Sequence, residues 1–274
     1  MAWAIMRFCW RNKCAPRANK KIPSQFMQEP HKKTHYEALQ EYNLLTGWLH
    51  SRRYQHIFGI IGQFAASKPD QSPIRILEIG CGPAKLYSVL TEFFPITYLG
   101  CEIHPAFVEA ARSRHGDQPN FEITDQSITS GNVSLENWDI IVALETLEHI
   151  PEHDVVRLIE KIAKAHSGLF VCSVPVEIGP TVWLKNVGAW LCRYPRYQEY
   201  KWKETFWAGC YQLDKIPLHQ TGHIGFDWRW LAQTIRHNMR ITSLRHLPCR
   251  WLPAAVSSSV FIVAESRSRI SMSS

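Results

Sequence analysis

The sequence predicts a doubly wound α/β fold: a mostly parallel, seven-stranded sheet with an antiparallel last strand, an N-terminal helical cover and a lid insertion. Three observations predict it. Short apolar runs alternate with segments of helical spacing from Ile74 to Val174, a pattern that needs parallel strands joined by right-handed crossovers. The first run breaks into the glycine pair Gly80 and Gly82 before helical spacing resumes at Leu86, Val89 and Leu90, so the chain there reads strand, tight turn, helix. An acid, Glu102, closes the second run.

The elements follow in order. Tyr36 to Phe64 has apolar residues at helical spacing, through Leu39, Tyr42, Leu45, Trp48 and Leu49 and again through Tyr54, Ile57, Phe58 and Ile61. This is the helical cover, and it ends in the loop Ser67-Lys-Pro-Asp-Gln-Ser-Pro73. Strands are expected at Arg75 to Ile79, Thr97 to Cys101, Phe121 to Ile123, Ile140 to Leu144 and Leu169 to Val174. Helices are expected at Ala84 to Phe93, Ala106 to Arg114 and Asp154 to Ala165. The chain closes with a helix at Asp227 to His237 and an antiparallel pair, Ile241 to Leu244 and Ser259 to Ala264.

Between Pro175 and Gly222 the alternation gives way to a segment rich in aromatic and basic residues, among them Trp183, Lys185, Trp190, Arg193, Tyr197 and Trp202. A connection of that length is functional or disordered, and so much aromatic area argues for order. It is read as a lid insertion over the site, recognising the acceptor. Its stretch Thr181 to Cys192 is expected to be an amphipathic helix, packed as a lid or touching lipid. The domain reading is therefore a basic arm and helical cover over 1–72, the α/β domain over 73–265 with the insertion at 175–222, and a tail at 266–274.

With 274 residues, 45% of them hydrophobic, the chain can bury the core of one domain plus appendages. Its eight cysteines are scattered without a C-x-x-C pair, which suggests neither a zinc ribbon nor a disulfide scaffold and fits a reducing, cytoplasmic compartment. No apolar stretch is long enough to span a bilayer. The net charge of +7 is drawn partly from the first 28 residues, which hold six Lys and Arg and no acid. With Trp3, Met6 and Trp10, that arm is either a disordered basic tail, a targeting peptide or an interfacial membrane contact.

The chemistry centres on the bend after the first strand. Glycines at 80 and 82 allow positive φ and leave no Cβ between backbone and ligand, and the following helix turns its free N–H groups to the same place. Glu102 falls about 20 residues on, where folds of this kind hold ribose hydroxyls with a carboxylate. The spacing points to a nucleoside ligand.

Glu78-Ile-Gly80-Cys81-Gly82-Pro-Ala84 resembles the first motif of class I S-adenosylmethionine (SAM) dependent methyltransferases, and Gly100-Cys-Glu102-Ile103-His-Pro105 resembles the acidic end of their second strand. Asp125 after Phe121-Glu-Ile, and Trp138 to Pro151, continue the match in order. Within the family the chain resembles the ubiquinone-pathway O-methyltransferase-like, type 11/12 group. Ala84 stands where the family has its third glycine. The resemblance implies a Rossmann-like domain binding SAM, with Glu102 on the ribose, the Gly80–Gly82 backbone under the methionyl part and Asp125 with Gln126 at the adenine. Glu78 would orient the loop and the cofactor's amino group, and Cys81, Ile103 and Leu144 would line the cofactor.

Beyond the fourth strand stands Glu145-Thr-Leu-Glu148-His149. In a helical turn these three ligand-type residues lie at i, i+3 and i+4, on one face. The motif resembles that of two metal-using branches of the family, the ubiquinone-pathway O-methyltransferases and the small-RNA 3′-terminal 2′-O-methyltransferases, and the latter also bring in a later histidine, here His223. That implies a divalent ion such as Mg²⁺ on Glu145, Glu148, His149 and His223, lowering the pKa of a bound hydroxyl. The competing reading makes His149 a general base without metal, with Glu148 and Glu145 beside it.

Three functions compete. The first is methyl transfer to a small-molecule or lipid-like acceptor at oxygen, supported by a Trp- and Tyr-rich insertion carrying cations. The second is terminal methylation of RNA, supported by positive charge interleaved with aromatics that could stack bases. The third is a non-catalytic SAM-binding regulatory subunit.

Overall fold

A computed structural model describes residues 44–68, 70, 72–191, 201–248 and 253–267. The basic arm, Tyr36, Tyr42 and the tail beyond 267 lie outside the described residues. The helical cover appears as α1, Leu44–Ser67.

The strands form because their residues alternate between two apolar faces, both covered by helices. They are β1 (Ile74–Ile79), β2 (Ile96–Cys101), β3 (Phe121–Thr124), β4 (Ile140–Leu144), β5 (Leu169–Pro175), β6 (Met239–Leu247) and β7 (Ser259–Ser266). Between them run α2 (Lys85–Thr91), α3 (Pro105–His115), α4 (Glu152–Ala165), α5 (Pro180–Leu191), α6 (Trp202–Gly209) and α7 (Trp228–Asn238). The order across the sheet is β3-β2-β1-β4-β5-β7-β6. The pairings from β3 through β5 are parallel. The antiparallel last strand is β7, which threads between β5 and β6 against both.

Period-two alternation divides the core. Leu77, Ile79, Ile141, Ala143 and Cys172 pack on one face, with Val155, Leu158, Ile159 and Ile162 of α4 and Leu231, Ala232 and Ile235 of α7. Ile76, Ile140, Val142 and Val171 pack on the other, with Ile57 and Ile61 of α1 and Leu86 and Leu90 of α2. Each such fully buried aliphatic contributes about 1.5–3 kcal/mol. Helix α4 shows why the spacing predicted it: its four buried residues fall at i, i+3, i+4 and i+7. Helix α7 starts where Asp227 accepts the amide of Arg229 at 2.8 Å.

Among the described residues, the insertion holds two packed helices with a small core of their own, in which Val182, Ala208 and Ile216 are buried. Thr181 donates its hydroxyl to the Ser257 carbonyl at 2.9 Å, tying α5 to the main domain. Trp183 donates its indole N–H to the Thr205 carbonyl at 3.1 Å. That contact requires glycine at 209, since a Cβ there would stand 2.0 Å from Trp183 Nε1.

Candidate functional site

The strand order turns back between β1 and β4, each of which feeds the cleft from its carboxyl end, and such a switch point is where doubly wound sheets gather ligands. After β1 the chain bends through Gly80 (φ 67) and Gly82 (φ 54). The bend hangs from β2: the amides of Gly80 and Cys81 both donate to the Cys101 carbonyl, at 2.8 and 3.2 Å. A Cβ on Gly80 would lie 2.3 Å from Thr146 Cγ2, so glycine is needed for β1 and β4 to approach. A Cβ on Gly82 would meet nothing within 4 Å, so that backbone faces open space. Ala84 also adopts left-handed φ, 58°, as the residue before α2, at a cost of about 1–2 kcal/mol for a residue other than glycine.

Glu102 joins the two halves of this cradle. Its Oε2 accepts the Gly82 amide at 2.9 Å and its Oε1 accepts the His104 amide at 2.8 Å. A carboxylate oxygen has two lone pairs, so both retain capacity for a ligand hydroxyl. Ile103, beside it, is 68% exposed. Asp125 and Gln126 stand exposed after β3, Gln126 held by its amide to Thr124 Oγ1 at 3.2 Å. Leu144 is half-buried at the end of β4. Cys81 is buried beneath the turn, and Gly100 leaves it room, since a Cβ at 100 would lie 2.6 Å from its sulfur.

Glu78 is placed differently from the rest. It is buried at the end of β1 and accepts the hydroxyl of the buried Tyr98. Burial pushes its carboxyl up to about 8, partly offset by Tyr98 and reinforced by Glu102. It supports the turn from below as a largely protonated acid.

The segment after β4 corrects one expectation. Glu145, Glu148 and His149 do not share a helical face, because the helical turn is a single 3₁₀ turn, Leu147–His149, and Glu145 lies outside it with φ 50. Glu145 is drawn instead to α1, pairing with Arg53 at 3.1 Å. Its amide donates to the Ser173 carbonyl at 2.8 Å. Among the described residues, no three His, Cys, Asp or Glu side chains are placed to hold a metal ion.

Glu148 is wholly buried, and neither of its carboxyl oxygens has a hydrogen-bond partner. Burial, with Glu145 adding to it, raises the Glu148 carboxyl well above its ordinary value, against a smaller opposing pull from its own backbone and Arg53. The His149 Nε2 lies 4.0 Å from Glu148 Oε1, with its side chain 54% exposed. Desolvation lowers the His149 imidazole, against an opposing pull from Glu145. His223 does arrive from far along the chain: the two rings stand 5.3 Å apart, edge to face. The placement is fixed by the neighbouring Gly222 amide, which donates to the Glu148 carbonyl at 2.7 Å.

Sequence reasoning missed three neighbours. Arg53 has no motif to mark it. Glu177, two residues beyond β5, is buried and pairs with Lys185 at 3.0 Å, with His223 Nδ1 3.9 Å away. His219 is buried, its Nδ1 3.1 Å from the Ile224 carbonyl. Only Glu177 carried a signal, being an acid at the carboxyl end of a parallel strand.

A glycine bend at the switch point, bridged to an acid that closes the next strand, resembles the cofactor cradle of class I SAM-dependent methyltransferases. Residues 76–167, about a third of the chain, match the family model described as a methyltransferase domain. The trans-aconitate 2-methyltransferase of Rhodococcus jostii (strain RHA1) is 32% identical over 84 residues, 30% of this chain and 31% of that enzyme, so the match spans about a third of its relative. The fold is similar to that of the CurJ carbon methyltransferase, with a TM-score of 0.57 at 16% identity, covering 85% of this chain and 58% of that one. It is similar also to magnesium protoporphyrin IX methyltransferase from Synechocystis PCC 6803 with bound SAH, with a TM-score of 0.53 at 12% identity over 89% and 92% of the two chains. The residues present fit SAM: open space over Gly82, a carboxylate at its rim and an exposed apolar side chain, Ile103, beside it.

Proposed function

We propose that this chain transfers the methyl group of SAM to a small-molecule or lipid-like acceptor, at oxygen. The observation that carries the reading is the Glu102 bridge to Gly82, which presents a carboxylate beside backbone facing open space. SAM, when bound, supplies a methyl carbon already activated by its sulfonium, so the protein has to align the acceptor and take its proton. Glu102 holds the ribose hydroxyls, the turn from Gly80 through Cys81 to Gly82 supports the methionyl part, and Ile103, Leu144, Asp125 and Gln126 line the adenine side. His149, an exposed imidazole kept neutral by desolvation, takes the acceptor's proton, and His223 stands beside it. Glu145 belongs to the ion pair with Arg53, which favours a base over a metal-bound hydroxyl. A small acceptor agrees with the relative named for trans-aconitate.

The test uses labelled SAM and a fractionated cell extract. Label is expected in the small-molecule or lipid fraction; label confined to RNA would replace the acceptor class. Glu102→Ala is expected to abolish the SAM-induced rise in melting temperature, and an unchanged rise would remove the cofactor assignment. Chain that binds SAM yet labels no fraction would point to the regulatory reading.

A further inference from the structure

Apart from Trp48 and Ile103, every large hydrophobic side chain exposed among the described residues falls between positions 183 and 218. On α5 they form one stripe: Trp183, Leu184, Val187, Trp190 and Leu191 lie at i, i+1, i+4, i+7 and i+8. Trp202 and Phe206 of α6 extend it, with the Phe206 ring stacked against Trp183 at 6.5 Å. The stripe is not a frayed end. The opposite side of α5 is fixed by Val182, Ala189 and the Thr181 hydrogen bond to Ser257. Apolar area gathered this way on a surface marks a contact.

Charge decides what it contacts. Helix α5 has no acid, and its one lysine, Lys185, turns inward to the Val176 carbonyl and Glu177. Lys201 and Lys203 stand exposed at the start of α6, and the single acid there, Glu204, is occupied by the Lys201 amide at 2.9 Å. A second copy meeting this face about a two-fold axis would set these cations against themselves. An anionic bilayer supplies both complements, an apolar boundary for the Trp and Leu side chains and negative headgroups for the rim.

We propose that the outward face of α5, with the start of α6, is a docking surface for anionic lipid bilayer. Tryptophans suit this boundary because the ring is apolar and its N–H is not. Docking needs neither SAM nor an acceptor, so it stands or falls apart from the methyl-transfer reading.

The experiment sediments the full chain with vesicles of phosphatidylcholine alone and of phosphatidylcholine with phosphatidylglycerol. Wild type is expected to pellet with the anionic vesicles and far less with the neutral ones. The combined variant Leu184→Glu, Val187→Glu, Leu191→Glu is expected to lose about tenfold or more in vesicle affinity while its circular-dichroism melt is kept. Leu191→Glu alone provides a second reading should the combined variant melt early. The proposal is overturned if wild type stays in solution with both vesicles. It is equally overturned if the variants pellet like wild type, which would assign binding to the basic arm, or if wild type is a dimer that they split.

Discussion

Arg53 reaches from α1 to Glu145 at the end of β4, 3.1 Å away, with both side chains largely buried. The pair ties the helical cover to the strand that carries the candidate base. Removing one partner strands the other's charge, so Arg53→Met is expected to cost about 3 kcal/mol, the lower end for breaking a buried pair. Pairing it with Glu145→Gln should return part of that loss. Urea unfolding of the four chains measures both; an Arg53→Met protein as stable as wild type would mean the pair does not hold α1.

The two glycines of the turn should fail differently. Gly80→Ala drives a methyl group into Thr146, and both the clash and the positive φ fall on folding, so it is expected to lose about 2–4 kcal/mol of stability. Gly82→Ala meets open space and carries only the left-handed penalty, about 1–2 kcal/mol. Its methyl projects where the ligand belongs, so SAM affinity should fall more than stability does. Calorimetric titration beside thermal melts separates the two; equal loss of affinity per unit of stability would contradict the assignment of the open space.

A third expectation concerns pH. The Glu78 carboxyl is raised by burial from an ordinary 4.5 to about 8. Between those values the folded chain binds more protons than the unfolded one, so stability falls as pH rises through that window. Its contribution is complete below the unfolded value and gone above the folded one. Glu78→Gln, which keeps the hydrogen bond from Tyr98, should flatten this part of the profile. Melting temperatures taken across the window report it, and a slope unaltered by Glu78→Gln would place the titration elsewhere.

The fold was legible because its signals are local. Alternating apolar runs mark strands covered on both sides, and the glycine pair with Glu102 follows from geometry any such turn must satisfy. The site was less so. Glu145-Thr-Leu-Glu148-His149 reads as one helical face, but Thr146 lies against Gly80 and Glu145 takes a left-handed φ beside Ser173 and Arg53. Those are tertiary contacts, across 92 positions in the case of Arg53 and Glu145. Glu177 and His219 escaped notice for the same reason: only the folded chain brings them near His149 and His223.

His149 offers the sharpest test of the chemistry. Desolvation lowers its pKa, and a base works in its unprotonated form. Methyl transfer should therefore be level through neutral pH and decline only below the ordinary histidine range, about 6.5. His149→Ala is expected to lower kcat about 10²–10⁴-fold while SAM affinity, set at Glu102 and the turn, stays as in wild type. Because Glu145 is engaged by Arg53, treatment with EDTA should leave the rate unchanged. Activity lost to EDTA and restored by Mg²⁺ would bring Glu145, Glu148, His149 and His223 back together as ligands, and would require the Arg53 pair to open during turnover. Arg53→Met distinguishes the two cases: under metal use it would raise activity at limiting Mg²⁺ by freeing Glu145, whereas a base mechanism leaves the Mg²⁺ response flat in both chains.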